Sequence, residues 1–76
     1  MPEENWVTYN RLQAAQVASG LQVLLEQNVL DEKEREVAKR AQRKLVRWRE
    51  DSDINMFLLN KKEYELISQV EAALWR

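Results

Sequence analysis

Residues 51–60 read DSDINMFLLN. Asp51, Ser52 and Asp53 are the kind of residue that opens a helix: short polar side chains accept the orphan amide protons of the first turn, and carboxylates favour the positive end of its dipole. The stretch therefore predicts a short helical turn near 53–59, started by Ser52 or Asp53, and with it an all-α chain. No apolar run is longer than that from Met56 to Leu59, which is far too short for a membrane span.

The flanking sequence points the same way. The chain is rich in Leu, Ala, Gln, Glu, Lys and Arg and has one Gly and one Pro among 76 residues. Straight-chain side chains lose little rotamer freedom in a helix, so helix is favoured throughout and punctuation has to come from caps. Asp31 followed by Glu34, and Asn60 followed by Glu63, have the spacing of capping boxes, and Asn5 or Thr8 is a candidate cap for the first helix. The expected architecture is a small bundle of three main helices, at about 8–27, 32–49 and 61–75, in a single domain covering 1–76.

Helical spacing gathers Ala14, Val17, Ala18, Leu21, Leu24 and Leu25 on one face of the first helix, with Leu12, Ala15 and Val23 on a weaker second stripe. That helix should be the most buried and touch two neighbours. Val37, Ala38, Ala41, Leu45 and Trp48 line one side of the second, and Leu66, Ile67, Val70, Ala73 and Leu74 one side of the last. Leu21, Leu45, Ile67 and Val70 are expected in the core. Gly20, beside Ala18 and Ser19, marks the close approach of another helix.

Several chemistries are excluded outright. With no Cys and no His, the chain cannot present a Ser-His-Asp or Cys-His nucleophile, a zinc cage, a haem or iron–sulfur ligand set, or a disulfide. One glycine is too few for a phosphate-cradling loop. Asp51, Asp53 and Asn55 match the first ligands of a calcium-binding loop, but Met56 stands where the sharp turn needs Gly and Lys62 where the bidentate Glu belongs. No enzyme, cofactor or metal site is expected, and a carboxylate–metal enzyme is only a remote alternative.

Charge is balanced overall, 12 basic against 13 acidic side chains, yet locally it is not. Lys39, Arg40, Arg43, Lys44, Arg47 and Arg49 occur without an acidic residue among them, and all but Arg49 fall within about 140° of a helical wheel. This ridge, Lys39, Arg40, Arg43, Lys44 and Arg47, is the candidate partner-binding face. An acidic protein is one partner for it. Nucleic acid is the alternative, held through phosphates with little base reading, since only Gln42 is near. Trp6, Tyr64 and Trp75 are expected to staple the chain ends to the bundle or to form an aromatic contact patch.

The expected function is that of a small regulatory or adaptor protein that binds a protein partner and self-associates as a homodimer through its first or last helix. A core of this size is marginal, and oligomerisation is one of the few remaining supports. The acidic start, Met1-Pro2-Glu3-Glu4, has no apolar stretch after it and does not read as a secretory signal, which points to a cytoplasmic protein.

Overall fold

The computed structural model describes residues 5–47 and 53–75. The order is β1 (Asn5–Asn10), α1 (Arg11–Gln27), α2 (Glu32–Leu45), β2 (Ile54–Leu59) and α3 (Lys61–Leu74). The all-α expectation is therefore corrected: three helices are present, joined by a two-stranded antiparallel sheet in which Asn5 pairs with Leu59 and Asn10 with Ile54. The helical turn expected near 53–59 is the strand β2, and the first helix begins at Arg11, not near 8.

Two physical reasons account for the correction. Between Ile54 and Leu59 apolar residues fall on both alternating faces, so neither the two-residue nor the 3.6-residue period stands out locally. The choice is made by a partner strand at the other end of the chain, whose Trp6, Val7, Thr8 and Tyr9 are aromatic or β-branched and suit a pleated surface. Tyr9, Asn55, Phe57 and Leu59 are buried, while Trp6, Thr8, Ile54, Met56 and Leu58 alternate with them and face outward.

All three helices start in the same way. Asn10, Asp31 and Asn60 are extended N-caps whose side chains accept from the backbone N–H of Gln13, Glu34 and Glu63, and those side chains accept in return from the cap N–H. The boxes read at Asp31 and Asn60 are present. The first helix uses Asn10 with Gln13 in place of Asn5 or Thr8, and Asn10 is also the last residue of β1. Helix α1 stops at Asn28, which takes the left-handed conformation (φ 56°), and Arg35 Nη1 donates to Asn28 Oδ1 at 2.9 Å. Helix α2 ends at Leu45 with Val46 as its C-cap, short of the expected 49; Trp48, assigned to the core from sequence, and Arg49, Asp51 and Ser52 lie outside the described residues.

The helices and the inner face of the sheet share one core: Ala14, Val17 and Leu21 from α1, Val37, Ala38, Ala41 and Leu45 from α2, Leu66, Ile67 and Val70 from α3, and Tyr9, Phe57 and Leu59 from the strands. The four residues expected there, Leu21, Leu45, Ile67 and Val70, are all in place. Helix α1 does touch both other helices, but it is not more buried than they are, and its second stripe faces outward, with Leu12 67% and Val23 47% exposed. Ala73 and Leu74, expected on the inner side of α3, are exposed as well.

Gly20 lies where α1 meets α3. A Cβ placed there would sit 2.5 Å from Val70 Cγ1, a contact a buried branched side chain cannot relieve by swinging away. Gly20→Ala should gain up to about 1 kcal/mol of helix propensity and lose about 1–3 kcal/mol to overpacking, for a net destabilisation of about 1 kcal/mol. Urea titration checks the sign: a more stable Gly20→Ala would mean that α3 is not pressed against α1 at this point.

Candidate functional site

The basic face is only partly free. Lys39, Arg40 and Arg43 are exposed on α2, and exposed Arg47 follows its C-cap, its N–H donating to Lys44 O at 3.2 Å. Lys44 is turned away from this group. Its ammonium donates to Glu63 Oε1 at 2.7 Å and to Leu58 O at 3.1 Å. Of the five residues read from the sequence, four share the outward face, and the fifth joins α2 to β2 and α3.

Glu63 explains the diversion. It is fully buried, and its Oε1 also accepts from the Asn60 backbone N–H at 2.9 Å in the capping box of α3. A buried carboxylate needs a cation and donors to offset lost hydration, and Lys44 supplies the cation while staying partly in water, its side chain 40% exposed. This ion pair joins α2 to α3. Glu63 Oε2 has no hydrogen-bond partner.

The three aromatic candidates are not brought together. Trp6 is 54% exposed on the outer face of the sheet, and Tyr64 is 39% exposed near the start of α3. Trp75 is a staple: its ring centroid lies 6.1 Å from that of Tyr9, and its Nε1 donates to Gln16 Oε1 at 3.2 Å, tying the end of α3 to β1 and α1. Tyr9, on the inner face, also packs 6.1 Å from Phe57 and donates its hydroxyl to Glu71 Oε1. Burial, followed by the hydrogen bond and charge of Glu71 and a smaller contribution from Tyr64, raises the Tyr9 phenol well above its ordinary value of 10.0.

Two surface features were missed in the sequence. The first is the outer face of the sheet, where the register sets Trp6 opposite Leu58 and Thr8 opposite Met56, with Ile54 beyond them. Ile54 and Met56 are 58% and 63% exposed, and no charged residue occupies an outward position on either strand. The signal available was the unbroken apolar run, which is more than one buried face needs. The second is an open groove of about 360 Å³ between α1 and α2, lined by Ala18, Ser19, Gln22, Gln42, Arg43 and Val46. A further hollow of about 260 Å³, between α2 and α3, has Lys33, Glu34, Lys62 and Glu65 mixed along its walls.

Asn55, part of the calcium-loop spacing, sits in β2 opposite Tyr9 with its side chain buried, so it does not belong to a cation loop. Among the described residues there is no group of three or more acidic side chains placed to hold a metal, and no helix is long and apolar enough to cross a membrane. In comparisons with known proteins, the chain matches no family model, no curated protein and no solved structure at a significant level.

Two substitutions separate structural cations from surface ones. Lys44→Met should destabilise the fold by about 1.5–3 kcal/mol, because it leaves a buried carboxylate short of its charged donor. Arg40→Met, on the exposed face, should change stability by no more than about 0.5 kcal/mol. Equal effects in urea titrations would remove Lys44 from its structural role. Tyr9 gives a pH signature: a phenol raised on folding contributes fully below 10.0 and loses that contribution as the pH rises beyond it. The stability advantage of wild type over Tyr9→Phe should therefore shrink between pH about 9 and 11, and an advantage that stays constant would show that Glu71 and burial do not hold the proton.

Proposed function

We propose that this is a small protein-binding module without catalytic chemistry of its own, which self-associates through the outer face of its two-stranded sheet. The observation that supports this is the uncharged outer face itself, in a chain where 33% of residues are charged. At their exposures, Trp6, Ile54, Met56 and Leu58 together present on the order of 400 Å² of apolar surface, a size at which a patch on a monomer is often functional.

A second copy suits this face because two-fold apposition sets apolar groups against apolar groups and strands no charge away from water. The outer line of α1 is a poorer candidate. Leu12 and Val23 are three turns apart there, with Ala15, Gln16 and Ser19 between them, whereas the sheet residues adjoin one another through the strand register. Two such faces bury on the order of 800 Å² in total, below the size of standard stable interfaces; area alone does not set affinity, and the proposal is of a weak dimer with a dissociation constant of about 10–100 μM.

Sedimentation equilibrium tests this reading. Wild type should shift from monomer to dimer across that concentration range, and Met56→Lys should remain monomeric with an unchanged circular dichroism spectrum. A wild type that stays monomeric up to about 1 mM, or a dimer broken by Leu12→Lys and not by Met56→Lys, overturns it.

A further inference from the structure

The groove between α1 and α2 and the basic ridge beside it form one composite surface, and we infer that its occupant is an acidic amphipathic helix of another protein. This surface is separate from the outer face of the sheet, and the inference stands whether or not the chain self-associates.

The two walls differ. On the α1 side, Ala18, Ser19 and Gln22 carry no charge. On the α2 side, Arg43 forms the wall, Lys39 lies one turn before it, and Arg47 follows just past the helix end. These three cations have no carboxylate within ion-pair distance among the described residues. Arg43 Nε donates to Lys39 O at 3.4 Å, which lays the side chain along α2 and leaves its Nη groups as the fork that takes a carboxylate with two hydrogen bonds. Val46, 66% exposed at the end of α2, is an apolar foothold. The floor is already satisfied, because the Gln42 amide donates to Ala18 O at 3.2 Å and to Gln22 Oε1 at 3.0 Å.

Charge complementarity selects the occupant. It needs an apolar line to cover Val46 and Ala18 and an adjacent line of carboxylates, one per turn, to meet Lys39, Arg43 and Arg47; an amphipathic helix presents both at once. Glu32 and Glu36, earlier on the same outward side of α2, confine the acidic contact to the C-terminal half of the ridge. A second copy supplies this pattern only in part. In α3, Glu63 is buried, Glu71 accepts from Tyr9, and exposed Glu65 has Lys61, Lys62, Ser68 and Gln69 one turn away; in α2, Glu32 and Glu36 form a line of two carboxylates that then meets Lys39 and Arg40, not a third acid. A nucleic acid would leave the apolar foothold and the uncharged α1 wall without partners, and the net charge of -1 gives no long-range attraction.

The test is fluorescence anisotropy with a labelled synthetic peptide about four turns long, carrying Leu on one helical line and Glu at every fourth position on the next. Its controls are a scrambled peptide of identical composition, a Glu-to-Gln version, a duplex DNA and a single-stranded RNA. The ordered peptide should bind wild type at least about tenfold more tightly than the scrambled or Gln versions, and Arg43→Glu and Val46→Asp should each weaken it by a similar factor. Both substituted positions are exposed, and circular dichroism confirms that the fold is kept. Equal binding of the ordered and scrambled peptides, indifference to Val46→Asp, or absence of peptide binding overturns the inference. So does a nucleic-acid complex that is tighter than the peptide, steeply salt-dependent and lost on Arg43→Glu.

Discussion

The carboxylate of Glu63 is where three elements of the fold are fastened. It closes the capping box that starts α3, it receives the ammonium of Lys44 from α2, and the same ammonium reaches the Leu58 carbonyl in β2. An ionised group without solvent exposure is costly unless each of these partners is in position, so the network tolerates little rotation of α2 about its axis. Fixing Lys44 inward at that helix position fixes Lys39 and Arg43 outward, because all three lie within two turns of one another. The exposed ridge is therefore a consequence of how one acid is buried.

The strands are joined to the helices with equal economy. Asn10 belongs to β1 and caps α1, and Asn60 follows β2 directly and caps α3, each with an extended backbone that continues the strand until the first helical residue. No loop separates sheet from helix at either place, so the twist and position of the sheet are set by the helices packed beneath it. With the inner positions committed to Tyr9, Phe57 and Leu59, the alternation of side chains leaves Trp6, Met56 and Leu58 on the outside. That apolar face exists because every outward position of two six-residue strands is uncharged.

The helices were legible in the sequence because what specifies them is local. The Asp31 and Asn60 boxes lie within four residues of sequence, and the stripes through Leu21, Leu45 and Val70 repeat at helical spacing; even Gly20 announced its close neighbour. The strands were not legible, because the residues that make Ile54–Leu59 a strand are Asn5–Asn10, far away along the chain. Asn10, followed three residues later by Gln13, carries the same capping signal, and a helix that starts there leaves the residues before it free to pair as a strand. The basic face was legible except at Lys44, whose role depends on an acid in another helix that no wheel of α2 displays. Trp75 takes one of the two roles left open for it, tying the end of α3 to α1, while the outward position of Trp6 follows from a register set by β2.

Pairing the first strand with one that begins at Ile54 has a consequence for the order in which the molecule assembles. Helices α1 and α2 are built from bonds between near neighbours and are joined by a short turn at Asn28, so they can form and dock while the ends of the chain are still apart. The sheet cannot: Asn5 meets Leu59 only when most of the chain has been gathered into a loop, and the entropy of that closure is lost before the strand bonds compensate for it. Folding speed is thus governed by the smallest element of the structure, which places the protein with mixed α/β domains and not with the much faster helical bundles that its composition resembles.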